Sequence, residues 1–197
     1  MSDSLRWELI KETHLVQDAW IDFRTNIYRL PNGAEIGPVY NYSKHSFVII
    51  VATDTQGRFI CVRQYRHGID EITTEFPAGG IEYRQKSDVP YITAQNTIAS
   101  EEDALHAAKR ELEEETGYVS DNFIHLLTIP ANATLASNNV HIYAATGCEK
   151  KTSQHLDDTE FLGVLLLSEE ELKEHIFGGD FKQAHHVLAW YMYRDMK

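Results

Sequence analysis

The sequence predicts an α/β chain of the α+β kind, with a mixed β-sheet sandwiched between helices and a β-hairpin region at the N-terminus. Three observations predict it. Short apolar runs, the first of them rich in β-branched residues, occupy 46–52, 59–62, 123–129, 140–145 and 161–167. One helical pattern interrupts them at 100–117, and two more close the chain. Elements in that order bury their apolar faces by layering helices on a sheet.

Taken in order, 1–44 is a β-rich segment in which Trp20-Ile21-Asp22-Phe23-Arg24 and Ile27-Tyr28-Arg29-Leu30 alternate, and Pro31-Asn32-Gly33 supplies a turn. The run 46–52 reads as a buried strand, the stretch from Asp54 to Gly57 as turn chemistry, and 59–62 as the partner strand. The helix near 100 begins where Ser100 and Asp103 approximate a capping box, and Gly117 stops it. Strands follow at 123–129, 140–145 and 161–167. Ser168 with Glu171 caps a short helix that ends at Gly178-Gly179. Asp180 is expected to cap the last helix, where Phe181, Ala184, Val187, Leu188, Tyr191 and Met192 recur at helical spacing.

The chain has 197 residues, 43% of them hydrophobic and 24% charged, an ordinary globular composition that needs no disulfide staples. No repeat, low-complexity tract or Pro/Ser-rich linker marks a boundary, so 1–197 is expected to be one domain. The formal net charge of −12 repels phosphate backbones and anionic membranes, which argues against nucleic acid and membrane partners. No apolar run approaches the roughly 18 residues of a membrane span, and the N-terminus shows no secretory signal. A cytoplasmic location is the expectation. Cys61 and Cys148 lie in separate apolar runs and read as buried thiols, a bridge between them being the other reading. An anionic substrate would need divalent metal to offset the chain's own charge.

The most informative stretch is Arg110-Glu111-Leu112-Glu113-Glu114-Glu115-Thr116-Gly117-Tyr118. With Glu111 at zero on the helical wheel, Glu115 lies at about 40° and Glu114 at about −60°, while Glu113 points away at about 200°. Ala104 and Ala107 share the acidic arc and leave room beside it. Clustered carboxylates on a helix repel one another, and they suit hard cations such as Mg²⁺ or Mn²⁺. Taken alone, the same residues also describe a solvated acidic face.

They do not stand alone. Glu102, seven intervening residues and then Arg110-Glu111-Leu112-x-Glu114-Glu115-x-Gly117-Tyr118 resemble the Nudix box, G-x5-E-x7-R-E-U-x-E-E-x-G-U with U a bulky apolar residue. Upstream, Arg63-Gln64-Tyr65-Arg66 and Glu75-Phe76-Pro77-Ala78-Gly79 resemble the run before the box in ADP-ribose and nucleotide-sugar pyrophosphatases. Downstream, Asp157-Asp158-Thr159-Glu160 resembles their late acidic loop. Two departures stand out. The position six residues before Glu102 is Asn96 where the box has glycine; Gly79 is the alternative, followed by a polar insertion at 83–101. That insertion is expected on the surface near the active site, where it would shape the pocket, cover it or decorate it. The segment 129–139 keeps Pro130 but lacks the glycine and acid common in relatives that take ADP-ribose.

The resemblance implies a Nudix α/β/α sandwich and a residue-by-residue site. Glu111 and Glu115 would be direct metal ligands, Glu114 a ligand to a second ion or through water, and the carbonyl of Ala78, beside Gly79, would complete the site. Arg110 would hold a carboxylate, with Glu102 a candidate partner. Arg66 is a candidate diphosphate clamp, or else an ion-pair partner, and Glu75 would contact substrate or metal. Glu160, with Asp158 next, is the candidate general base. Trp7, Trp20 and Tyr28 fall in the segment that swaps across a dimer and stacks on the base in relatives, so a homodimer is expected. None of the ten histidines has zinc spacing, and His185-His186 read as packing on the last helix. The implied reaction is Mg²⁺-dependent hydrolysis of ADP-ribose or a related nucleotide sugar. Dinucleoside polyphosphates, nucleoside triphosphates or a capped RNA end are the alternatives, and a non-catalytic nucleotide-sugar sensor is the third reading.

Overall fold

The computed structural model describes residues 5–82 and 101–196, with the side chains of 101 and 102 excepted. The expectations for Asn96, the cap at Ser100, the side chain of Glu102 and the insertion at 83–101 lie outside the described residues. Two compact units contain what is described. The first holds β1 (Glu8–Gln17), β2 (Asp22–Arg29), β3 (Glu35–Ser43) and the segment 130–139. The second holds β4 (Phe47–Asp54), β5 (Phe59–Arg66), β6 (Glu71–Glu75), β7 (Ala78–Gly80), α1 (Glu101–Thr116), β8 (Tyr118–Val119), β9 (Asn122–Pro130), β10 (Asn139–Lys150), β11 (Leu162–Leu167), α2 (Glu169–Phe177) and α3 (Ala184–Met196).

In the first unit the strands form an antiparallel sheet in the order β1-β2-β3. Its alternation is the inverse of a hydrophobic core. Asp22, Arg24 and Asn26 of β2 are buried, whereas Phe23, Thr25 and Ile27 are only half-buried. Arg24 donates to Asp22 Oδ2 and Ser43 Oγ, each at 2.9 Å, and Asp22 Oδ1 lies 2.6 Å from His14 Nδ1. These partners satisfy polar groups that burial would otherwise penalise. Leu9, Ile10, Leu15, Val16, Ile36 and Tyr40 are left exposed.

The second unit is built on an eight-stranded mixed sheet with the path β11-β5-β4-β10-β8 and with β6, β7 and β9 pairing β5, β4 and β10. β10 runs parallel to β4, while β8 on β10, β11 on β5, β5 on β4, β7 on β4 and β6 on β5 pair antiparallel. β4 is central because its apolar residues Val48 to Ala52 are buried on both faces, with α1 and α3 both packed on the strand. That is the predicted sandwich of sheet and helices. Cys61 and Cys148 are free and buried thiols. No helix among the described residues is long and apolar enough to cross a membrane.

Four details depart from the sequence reading. The last helix starts at Ala184 and not at Asp180. Asp180 instead accepts from the Thr74 hydroxyl at 2.5 Å and sits 2.7 Å from His175 Nδ1, so its carboxylate serves tertiary contacts. The stripe that α3 buries is His186, Ala189, Trp190 and Tyr193, rotated from the predicted one, whose Val187, Leu188, Tyr191 and Met192 are half-buried. Phe161, assigned to an apolar strand, precedes β11 and is 83% exposed.

Candidate active site

Two short pieces of the second unit face each other here, the turn Glu75–Gly80 and the C-terminal half of α1. Gly117 makes the helix end possible. Its φ is +74°, its N–H donates to Glu113 O at 2.7 Å, and a side chain there would meet the Thr152 carbonyl oxygen. Opposite, Ile50 N–H donates to Pro77 O at 2.9 Å, and β7 pairs with β4, so the Pro77-Ala78-Gly79 turn is held by backbone.

Between these pieces lie Glu111 and Glu115, both buried on the sheet side of α1, one turn apart as the helical wheel predicts. Glu115 Oε2 accepts from Ala78 N–H at 3.0 Å. Glu111 packs so closely on Gly79 that a β-carbon there would fall 2.0 Å from its carboxyl carbon. Glu114, with its side chain 40% exposed, sits at the edge. Arg110 ties the group together: Nη1 donates to Glu114 Oε2 at 2.7 Å, and Nη2 to Glu111 Oε1 at 2.7 Å and Gly80 O at 2.9 Å.

The positive charge near the two buried carboxylates does not offset their desolvation. Desolvation pushes Glu111 up to about 7 despite Arg110, with Glu114 and Glu160 adding repulsion. Desolvation also raises Glu115 well above the carboxylate range, against the Ala78 N–H and Arg66 and with help from Glu111 and Glu160. Glu160 thus lies within electrostatic reach of both. It stands exposed on a turn where its N–H donates to Asp157 O at 2.9 Å. No contact links Asp158 to the group among the described residues.

Arg66 and Glu75 meet each other. Arg66 Nε donates to Glu75 Oε1 at 2.8 Å and Nη2 to Oε2 at 2.5 Å, a two-pronged pair. Glu75 is fully buried, yet its carboxyl is held below its ordinary value: desolvation raises it, and Arg66, His186 and the Thr73 hydroxyl overcome that. Arg66 remains partly exposed and within electrostatic reach of Glu115. Thr73, which helps complete this pair, carried no signal in the sequence, and His186, read there as packing on the last helix, carried none that linked it to Glu75, since neither sits in a chemical motif.

Among the described residues no three His, Cys, Asp or Glu side chains are already gathered at coordinating distance. The chemistry of the donor set nevertheless fits a hard divalent cation. Glu111 and Glu115, both buried and pushed toward protonation, lie against a turn whose backbone approaches through a glycine, with Glu114 at their edge and Glu160 within electrostatic reach.

The NUDIX domain matches residues 43–191, more than half of the chain. The chain belongs to the NUDIX domain family. It is 30% identical over 130 residues to the methanol dehydrogenase activator of Bacillus methanolicus, a match covering 66% of this chain and 61% of that protein. The chain therefore spans less than two thirds of the activator's length. It is 27% identical over 170 residues to the ADP-ribose pyrophosphatase of Bacillus subtilis (strain 168), covering 85% of this chain and 82% of that one. A solved structure titled as an ADP compounds hydrolase superposes with a TM-score of 0.75 at 19% identity, covering 99% of this chain and 96% of that chain, a likeness of fold.

Proposed function

We propose that this Nudix hydrolase cleaves the diphosphate of ADP-ribose or a related nucleoside diphosphate sugar with the help of Mg²⁺ or Mn²⁺, releasing a nucleoside monophosphate and a sugar phosphate. The observation that carries the reading is the pair Glu111 and Glu115, buried without enough positive charge beside the Ala78-Gly79 turn. Glu111, Glu114, Glu115 and the Ala78 carbonyl would hold the cation. When bound, it supplies the positive charge and Lewis acidity that a chain of net charge −12 lacks toward a diphosphate.

The chain's own residues do the rest. Arg110 orients Glu111 and Glu114. Arg66, fixed in its plane by Glu75, presents its remaining N–H donors to the diphosphate oxygens. Glu160, on its exposed turn, accepts the proton as water oxygen forms a bond to phosphorus and the phosphorus–oxygen bond of the leaving phosphate breaks. Positioning and charge stabilisation thus carry the rate. The exposed apolar side chains of the first unit's sheet support a homodimer, and two free thiols support a reducing, cytoplasmic setting.

The test is release of nucleoside monophosphate with Mg²⁺ across ADP-ribose, other nucleotide sugars, dinucleoside polyphosphates and nucleoside triphosphates, beside Glu115→Gln. The reading expects metal-dependent cleavage of a nucleotide sugar, lost in the variant. Turnover confined to triphosphates or dinucleoside polyphosphates would replace the substrate class. Tight binding without turnover would replace the enzyme by a sensor of nucleotide sugars.

A further inference from the structure

His186 lies in the first turn of α3, fully within the core, more than a hundred residues from the turn it touches. Its Nδ1 accepts from Phe76 N–H at 3.1 Å, so that nitrogen carries a lone pair and the ring proton sits on Nε2. Nε2 faces Glu75 Oε2 at 3.5 Å. The ring also stacks on Phe76, with the planes 10° apart. One imidazole therefore contacts two consecutive residues: it bonds the backbone of Phe76, which leads into Pro77-Ala78-Gly79, and lies beside the carboxylate of Glu75. Thr74, the residue before, is anchored by Asp180 through both backbone and side chain.

The carboxylate in question has no freedom left. Oε1 takes Arg66 Nε and the Thr73 hydroxyl, and Oε2 takes Arg66 Nη2 and faces His186. A buried ion pair is costly unless its charges are matched by polar neighbours, and His186 Nε2 is the polar group nearest the free side of Oε2, at 3.5 Å. Burial lowers His186 to about 4, so the ring stays neutral at ordinary pH and adds no charge to compete with Arg66.

We propose that His186 is a positioning residue for diphosphate binding, setting the plane of Arg66 through Glu75. The inference rests on the reading above that Arg66 binds the diphosphate. Simple core packing of His186 makes a different prediction, a loss of stability with no change in substrate affinity.

The experiment measures kcat and KM for ADP-ribose with Mg²⁺ in Arg66→Lys, His186→Asn and His186→Gln, with Tm measured alongside. Asparagine places an acceptor near Nδ1 for Phe76 but no donor toward Glu75, whereas glutamine places an amide N–H near Nε2. His186→Asn is expected to raise KM about tenfold while kcat stays within about threefold, and His186→Gln to restore most of KM. Arg66→Lys is expected to raise KM at least as much. A wild-type KM in His186→Asn, beside a raised one in Arg66→Lys, overturns the inference alone. An unchanged KM in Arg66→Lys overturns the reading beneath it. Should His186→Asn not fold, ¹⁵N spectra of the wild-type imidazoles decide. An Nε2–H tautomer whose signal moves when inorganic pyrophosphate is added is expected, and an Nδ1–H tautomer or an unmoved signal overturns the inference.

Discussion

A methyl group added at Gly79 meets the carboxylate of Glu111 first. An ideal β-carbon there falls 2.0 Å from Cδ of Glu111 and 2.1 and 2.2 Å from its two oxygens, where ordinary contact begins at 3.4 Å. The carboxylate must therefore retreat by more than 1 Å. Gly79 has no positive φ, so alanine fits its backbone, and lowering the entropy of the unfolded chain offsets part of the cost by about 0.4–1 kcal/mol. A displacement of that size in a catalytic group costs about a hundredfold in rate, or about 3 kcal/mol of barrier. Gly79→Ala is thus expected to cut kcat/KM for the best nucleotide sugar by about a hundredfold. Its Tm should stay within about 4 °C of wild type. Activity within about threefold of wild type would refute the placement of Glu111 in the reaction, and an unfolded variant would refute the local nature of the clash.

Three further predictions follow from the same geometry. Glu160→Gln should lower kcat by about a hundredfold or more, and Asp158→Asn by no more than about threefold, measured at saturating substrate; the reverse order would move the general base. Gly117→Ala forces a β-carbon to 2.2 Å from the Thr152 carbonyl oxygen at a φ of +74°, and urea unfolding should report a loss of about 2–3 kcal/mol. His186 is held neutral, with its pKa depressed from 6.5 to about 4, so the unfolded chain binds its proton first as pH falls. Stability from this group is complete above pH 6.5 and is lost on acidification toward pH 4, by up to about 3 kcal/mol. The pH dependence of unfolding in His186→Gln should be correspondingly shallower.

Legibility in the sequence followed the range of the forces involved. α1 was readable because helical spacing, the terminal glycine and the paired carboxylates are all local to 101–117. β4 and β10 were readable because apolar β-branched runs announce strands buried on both faces. β6 was not, since its buried residues are Thr73, Thr74 and Glu75, and their partners Asp180 and His186 come from the far end of the chain. The same long-range bond misplaced the start of the last helix: Asp180 has the look of a cap, but the Thr74 hydroxyl and His175 claim its carboxylate. In the first unit, alternation identified strands but not which face is buried, because Asp22, Arg24 and Ser43 satisfy one another there.

The candidate site divides along the same line. Glu111, Glu114, Glu115 and Arg110 sit within six consecutive positions, and their spacing alone places them together. Arg66 was legible as a residue able to take either a phosphate or a carboxylate; only the fold pairs it with Glu75.

The central claim, that Glu111 and Glu115 with the Ala78 turn form a divalent cation site, is tested most directly by titrating Mn²⁺ and following the free-ion signal by electron paramagnetic resonance. The wild-type protein is predicted to deplete that signal, and Glu115→Gln and Glu111→Gln to leave it undepleted while remaining folded. Undiminished Mn²⁺ binding in the folded variants, or none in the wild type with a nucleotide sugar present, would contradict the account.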